Sequence, residues 1–69
     1  MNTDTIGTWA GSVWIALNEA DVLDTKQIKK ITKLKDKELY AAIGWLAREG
    51  KISFEESGDG KELLLTLVK

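Results

Sequence analysis

The chain has 69 residues, which accommodate a single domain and predict a thin hydrophobic core. It contains neither cysteine nor histidine, which excludes disulfides and zinc sites built from thiolate or imidazole ligands. Its formal net charge of −1 argues against a strong overall attraction to nucleic acid, and no apolar run of about 18 residues predicts a membrane span.

The N-terminal residues do not have the pattern of a secretory signal. No basic segment precedes an apolar run there, and no small-residue cleavage site follows one. We therefore expect a cytoplasmic protein.

The first predicted element is an amphipathic helix over residues 4–20, with Thr3 or Asp4 as its N-cap. Apolar side chains recur along it at intervals of three and four residues: Ile6, Trp9, Ala10, Val13, Trp14 and Leu17. Ile15 falls opposite this stripe, where a monomer would carry a polar side chain. Gly7 and Gly11 fall beside it, where a small residue admits a close neighbour.

A short strand and a second helix are predicted next. Val22 and Leu23 interrupt the helical pattern and could pair with a later hairpin. The second helix is predicted over residues 25–31, with Asp24 or Thr25 as its N-cap. Three apolar side chains of this region are expected to face the core: Ile28, Ile31 and Leu34.

The third helix is predicted over residues 36–49, with Asp36 as its N-cap. Its buried stripe has intervals of three and four residues and consists of Leu39, Ala42, Ile43 and Leu46. Gly50 follows at the position where a helix commonly ends in a left-handed residue.

A β-hairpin is predicted over residues 51–68. Ile52 and Phe54 alternate with polar residues, as in a half-buried strand, and residues 57–60 read SGDG, a strong turn signal. The return strand is apolar on both faces, with Leu63, Leu65 and Leu67 on one and Leu64, Thr66 and Val68 on the other.

A family resemblance covers nearly the whole chain. Residues 44–52 read GWLAREGKI between a short helix-turn-helix and a hairpin, and residues 2–19 read NTDTIGTWAGSVWIALNE. Both segments resemble the small stand-alone bacterial winged helix-turn-helix proteins of unknown function. The resemblance implies one α+β domain over residues 1–69, with three helices and a small antiparallel sheet, often dimeric. It transfers no activity and no ligand residues.

The charges are unevenly distributed along this predicted fold. Residues 25–37 contain six lysines and one acid, whereas residues 52–62 contain four acids and one lysine. In a winged helix the basic segment lies over the DNA backbone. The candidate DNA-binding residues are Lys26, Lys30, Lys33, Lys35, Lys37 and Arg48. The alternative is that these lysines form a solvated helix face, which is the commoner role of a charge run.

The exposed face of the third helix is poorly suited to reading bases. Its outward residues include only two cations, Lys37 and Arg48, and the hairpin beside it is acidic. Two functions therefore remain open. One is a DNA-binding protein, such as a small transcriptional regulator, with low intrinsic sequence specificity. The other is a protein-interaction or dimerisation module that uses the same scaffold without DNA.

Four apolar side chains fall outside the stripes that a monomer needs, and they form the candidate dimer interface: Ile15, Trp45, Leu64 and Val68. Apolar residues exposed singly are ordinary, but a thin-cored domain gains stability from a partner subunit. We therefore expect a homodimer.

Catalysis has little support in the sequence. The serines and threonines have no evident base beside them, and the eleven acids show no paired-carboxylate or metal-ligand spacing. The glycines match no phosphate-binding loop. We therefore expect no enzymatic activity, no metal, no cofactor and no small-molecule substrate.

Overall fold

Three helices pack on a three-stranded antiparallel sheet in a computed structural model, which describes residues 1–68. The helices span Thr3–Asn18 (α1), Thr25–Thr32 (α2) and Asp36–Arg48 (α3). The strands span Leu23–Asp24 (β1), Ile52–Glu56 (β2) and Leu63–Leu67 (β3), and β3 lies between the other two. The β2–β3 hairpin is called the wing below. This architecture confirms the predicted winged helix-turn-helix of the α+β class.

The N-cap of the first helix lies one residue before the predicted positions. Asn2 has an extended backbone, and its Oδ1 accepts a hydrogen bond of 2.8 Å from the Thr5 N–H. The prediction of Thr3 or Asp4 as the N-cap was therefore wrong. An asparagine is as good a cap as either residue, and local sequence alone did not separate them.

The second helix begins with a reciprocal cap. The Gln27 N–H donates to Asp24 Oδ1 at 2.7 Å, and the Asp24 N–H donates to Gln27 Oε1 at 2.9 Å. Asp24 is thus the N-cap, as predicted. The helix ends at Lys33, whose φ of 65° is left-handed and whose N–H donates to the Lys29 carbonyl oxygen at 2.8 Å. This conformation closes the short turn of residues 33–35.

The third helix has Lys35 at its N-cap position, so the assignment of that position to Asp36 was wrong. The Lys35 N–H donates to Glu38 Oε1 at 2.8 Å. The backbone N–H of the N-cap residue therefore has an acceptor, and that acceptor is not Asp36. Asp36 instead forms an ion pair with Lys29, described below. At the other end, Gly50 has a φ of 72°, the left-handed conformation expected there.

The core lies between α1, α3 and the inner face of the sheet. The predicted stripe of α3 is fully confirmed, because all four of its residues are buried. The core residues are Ala10, Val13, Ala16, Leu17, Leu23, Ile28, Leu39, Ala42, Ile43, Leu46, Ile52 and Leu65. Leu34 packs against this cluster from the turn, and β1 pairs with β3, both as predicted. The strand consists of Leu23 and Asp24, however, so the placement of Val22 in it was wrong, and Val22 is exposed.

Three apolar residues predicted to face inward are substantially exposed. Trp14, Ile31 and Phe54 are 40%, 57% and 51% exposed. Helix α2 has only eight residues, so one position, Ile28, is enough to seat it on the core. Phe54 lies on an edge strand, and the apolar stripe of α1 is wider than the surface that its neighbours cover.

None of the helices in the described part of the chain combines the length and the apolar character that a bilayer crossing requires.

Candidate nucleic-acid interface

Five of the six candidate cations belong to the helix-turn-helix. They lie on α2, on the turn of residues 33–35 and on the first turn of α3, and all are exposed: Lys26, Lys30, Lys33, Lys35 and Lys37. The turn has only three residues, so these lysines lie on consecutive elements of one helix-turn-helix. The sixth candidate, Arg48, is exposed at the C-terminal end of α3.

The remaining lysine of this segment has a structural partner. Lys29 Nζ lies 2.6 Å from Asp36 Oδ1, and this ion pair joins α2 to the start of α3. The hydrogen bond to Asp36, with its charge, raises the pKa of Lys29. The residues are seven positions apart, so the pairing depends on how the turn folds. Lys29 therefore stays protonated and is paired with Asp36, which leaves the other lysines as the cations open to a ligand.

The outward row of α3 carries few side chains that can hydrogen-bond to base edges. At 100° per residue, Lys37, Gly44 and Arg48 lie in one row, with the two cations about 16 Å apart along the axis. A Cβ placed on Gly44 would meet nothing within 4 Å, so the middle of this row is flat and open. Such a face can approach a groove closely, but it offers phosphate contacts more readily than base contacts.

Two acids of the wing accept hydrogen bonds within the fold. Glu62 accepts a hydrogen bond from Thr25 Oγ1, and the Leu63 N–H donates to the same Thr25 oxygen at 3.4 Å. Thr25 is only 2% exposed. Asp59 Oδ1 accepts from Ser57 Oγ at 2.6 Å, and it also accepts from the Lys61 N–H at 3.0 Å.

These contacts give two acids of the wing a structural role. The hydrogen bond from Ser57, followed by the one from the Lys61 N–H, lowers the pKa of the Asp59 carboxyl. Asp59 therefore remains ionised as the acceptor that holds the wing-tip turn. The Thr25–Glu62 contact joins residues 37 positions apart, and no sequence signal pointed to it. Glu55 and Glu56 are the exposed acids of strand β2.

Replacing Thr25 with valine is expected to loosen the wing from α2. The change preserves the buried volume but removes the hydroxyl, so Glu62 loses its donor and the Leu63 N–H its acceptor. We expect a loss of about 2 kcal/mol in the free energy of unfolding, measured by urea denaturation. Thr66→Val, on a half-buried position of β3, is the control. Equal stabilities of the two variants would contradict the role of Thr25.

A cleft opens where α2, α3 and the wing meet. Its volume is about 250 Å³. Eight residues line it: Thr25, Lys26, Lys29, Asp36, Leu39, Tyr40, Lys61 and Glu62. The sequence did not single out Tyr40 or Lys61 as site residues, because their proximity to Lys26 results from the packing of α3 and the wing against α2.

The candidate dimer residues do not form a single surface. Ile15 and Trp45 line one groove of about 380 Å³ between α1 and α3. Leu64 lies on the other face of the sheet from the buried Leu65, opposite Glu55. Val68 is exposed, and its N–H donates to the Lys51 carbonyl oxygen at 2.9 Å, next to one end of that groove.

Comparison with known proteins identifies relatives of the same architecture. The model of a family described as "Winged helix-turn-helix domain (DUF2582)" matches residues 1–67. The solution NMR structure of protein BT2368 from Bacteroides thetaiotaomicron is similar, with a TM-score of 0.80 and 35% sequence identity. That alignment covers 96% of this chain and 79% of the other. No curated protein matches the sequence.

Proposed function

Because the chain belongs to the winged helix-turn-helix family DUF2582, we propose that it binds double-stranded DNA and acts as a small transcriptional regulator of low intrinsic specificity. The observation that carries this proposal is the group of five exposed lysines gathered by α2, the turn and the start of α3. In winged-helix complexes this is the region that faces the phosphate backbone and the major groove.

The proposed mechanism separates affinity from specificity. Lys30, Lys33 and Lys35 neutralise phosphates and release their counterions, while the first turn of α3 enters the major groove. Lys37 and Arg48 contact the backbone on either side of the flat segment at Gly44. Since that row presents no asparagine, glutamine, serine or threonine, one protomer discriminates poorly between sequences.

A titration of a fluorescent DNA duplex at several salt concentrations tests this function. Five phosphate contacts predict that the logarithm of the binding constant falls with the logarithm of salt concentration at a slope of about −4.5. Binding should depend only weakly on duplex sequence. Absence of binding at micromolar protein in low salt, measured by anisotropy, would remove the proposal.

A second role, self-association, is favoured by an apolar surface on α1. Ile15 is 59% exposed and lines both the groove toward Trp45 and a second depression that contains Ile31. Trp14 lines the same groove, and Cβ atoms added to Gly7 or Gly11 would meet nothing within 4 Å. This surface can therefore accept a closely packed helix.

The occupant that we propose for this surface is a second copy of the chain. Glu49 and Lys51 both line the groove between α1 and α3, so it carries one charge of each sign. In a two-fold symmetric pair the same patch meets itself, and Glu49 of one copy can face Lys51 of the other. Such a homodimer would present two helix-turn-helix units to adjacent half-sites, which compensates for the weak reading by one protomer.

Replacing Ile15 with lysine is expected to shift a dimer to monomer, because it places a charge in the centre of the apolar surface. We expect the dimer dissociation constant, measured by analytical ultracentrifugation, to rise at least roughly tenfold. Val22→Lys, at an exposed apolar residue outside the groove, is the control and should leave association unchanged. A wild-type chain that is monomeric at hundreds of micromolar would contradict the proposal.

A further inference from the structure

We propose that the cleft between α2, α3 and the wing binds one phosphate group of the DNA backbone, held by Lys26 and Lys61. This inference rests on the proposed DNA binding and adds to it a specific site and a contribution from the wing. In the sequence the wing is the acidic part of the molecule, with Lys61 as the one cation among residues 52–62.

Two cations from different elements lie at the cleft. Lys26 lies on the first turn of α2, and Lys61 lies in the wing immediately before Glu62. Both side chains are exposed, and both line the cleft together with Tyr40, whose hydroxyl can donate a further hydrogen bond. Three separate elements thus converge on a volume of about 250 Å³, which accommodates a phosphate group.

The cleft carries a net positive charge. Its lining contains three lysines and two acids, an excess of one positive charge. Asp36 is paired with Lys29, and Glu62 accepts a hydrogen bond from the buried Thr25. Within residues 1–68, the only ion pair is that between Lys29 and Asp36, so Lys26 and Lys61 remain available to an anion.

Hydrogen bonds within the wing hold the backbone of Lys61 in place. The Lys61 N–H donates to Asp59 Oδ1 at 3.0 Å, and the Ser57 N–H donates to the Glu62 carbonyl oxygen at 2.8 Å. These bonds fix the backbone on both sides of the lysine before a ligand arrives. Less conformational entropy is then lost on binding, which favours a defined phosphate contact over a diffuse one.

The position of the cleft determines which phosphate it would take. It adjoins the start of α3, which the proposed function places in the major groove. A backbone strand at the edge of that groove then passes between α2 and the wing. The ligand is therefore a phosphodiester of the duplex. Free inorganic phosphate shares its chemistry and is distinguished in the experiment below.

The test measures duplex affinity against salt concentration for Lys26→Gln, Lys61→Gln and the double variant. Each single change should weaken binding about fivefold at low salt and reduce the salt slope by about one unit. The double variant should lose less than the product of the two single losses, because both lysines hold the same phosphate. Asn18→Asp lowers the net charge by the same one unit at an exposed residue at the end of α1, outside both the cleft and the groove, and should change affinity less than twofold.

NMR titrations of the wild-type chain with inorganic phosphate and with duplex DNA form the second arm. Shifts of the Lys61 and Tyr40 amide signals in both titrations support the site. If phosphate shifts these signals but the duplex does not bind, the phosphate site stands and the DNA function fails. If the duplex binds while Lys61→Gln and Asn18→Asp behave alike, the DNA function stands and this inference is overturned.

Discussion

Replacing Lys30, Lys33 and Lys35 together with glutamate is expected to abolish duplex binding. Three phosphate contacts disappear, and three repulsive charges take their places. We expect the affinity at low salt to fall roughly a hundredfold or more, and the remaining salt slope to shrink by about three units. Fluorescence anisotropy with the wild-type duplex measures both quantities.

The same three positions offer a matched control. The corresponding glutamine variant removes the attraction without adding repulsion, so its affinity should lie between those of the wild type and the glutamate variant. All three side chains are exposed, and Lys33 keeps a non-glycine residue at its left-handed position in both variants. Unchanged thermal unfolding would show that the fold is intact. Wild-type affinity in the glutamate variant would place the DNA surface elsewhere.

Truncating Leu65 to alanine is expected to cost the domain a large part of its stability. Leu65 is fully buried in the central strand, where it lies opposite Leu23 on one side and Phe54 on the other. Removing a fully buried leucine side chain from a core typically costs about 3 kcal/mol. A small domain has a free energy of unfolding as low as about 5 kcal/mol, so the loss would be most of the total.

Urea denaturation followed by tryptophan fluorescence measures this effect. Val68→Ala is the control, because Val68 lies just beyond β3 and is 55% exposed. Its free energy of unfolding should change by about 0.5 kcal/mol or less. Equal midpoints for the Leu65 and Val68 variants would show that β3 does not carry the core.

Apolar spacing in the sequence predicts the buried face of a long helix better than that of a short one. The stripe of α3 was predicted residue by residue, because a helix of thirteen residues repeats its apolar spacing often enough to define the buried face. Helix α2 has only eight residues, and the same spacing left Ile28 and Ile31 equivalent. The structure buries Ile28 and exposes Ile31, since only the packing of α2 against its neighbours distinguishes the two.

The candidate surface residues were likewise only partly predictable from the local sequence. The lysines of residues 26–37 were recognisable because they are close together in the sequence, and a short turn keeps them together in space. Lys61 was not recognisable, because its proximity to Lys26 requires the wing to fold back onto α2. Of the apolar candidates, Ile15 and Trp45 meet in one groove, while Leu64 lies on a different face.

The sequence by itself determined the order of the elements, the α+β class, the winged helix-turn-helix and the uneven distribution of charge. These properties follow from interactions over a few residues, such as periodic burial, turn chemistry and capping. Only the tertiary structure decided that Glu62 is held by Thr25, that Lys29 is paired with Asp36, and which apolar side chains stay exposed. Those outcomes depend on contacts between distant segments, whose geometry exists only once the helices and the wing have packed together.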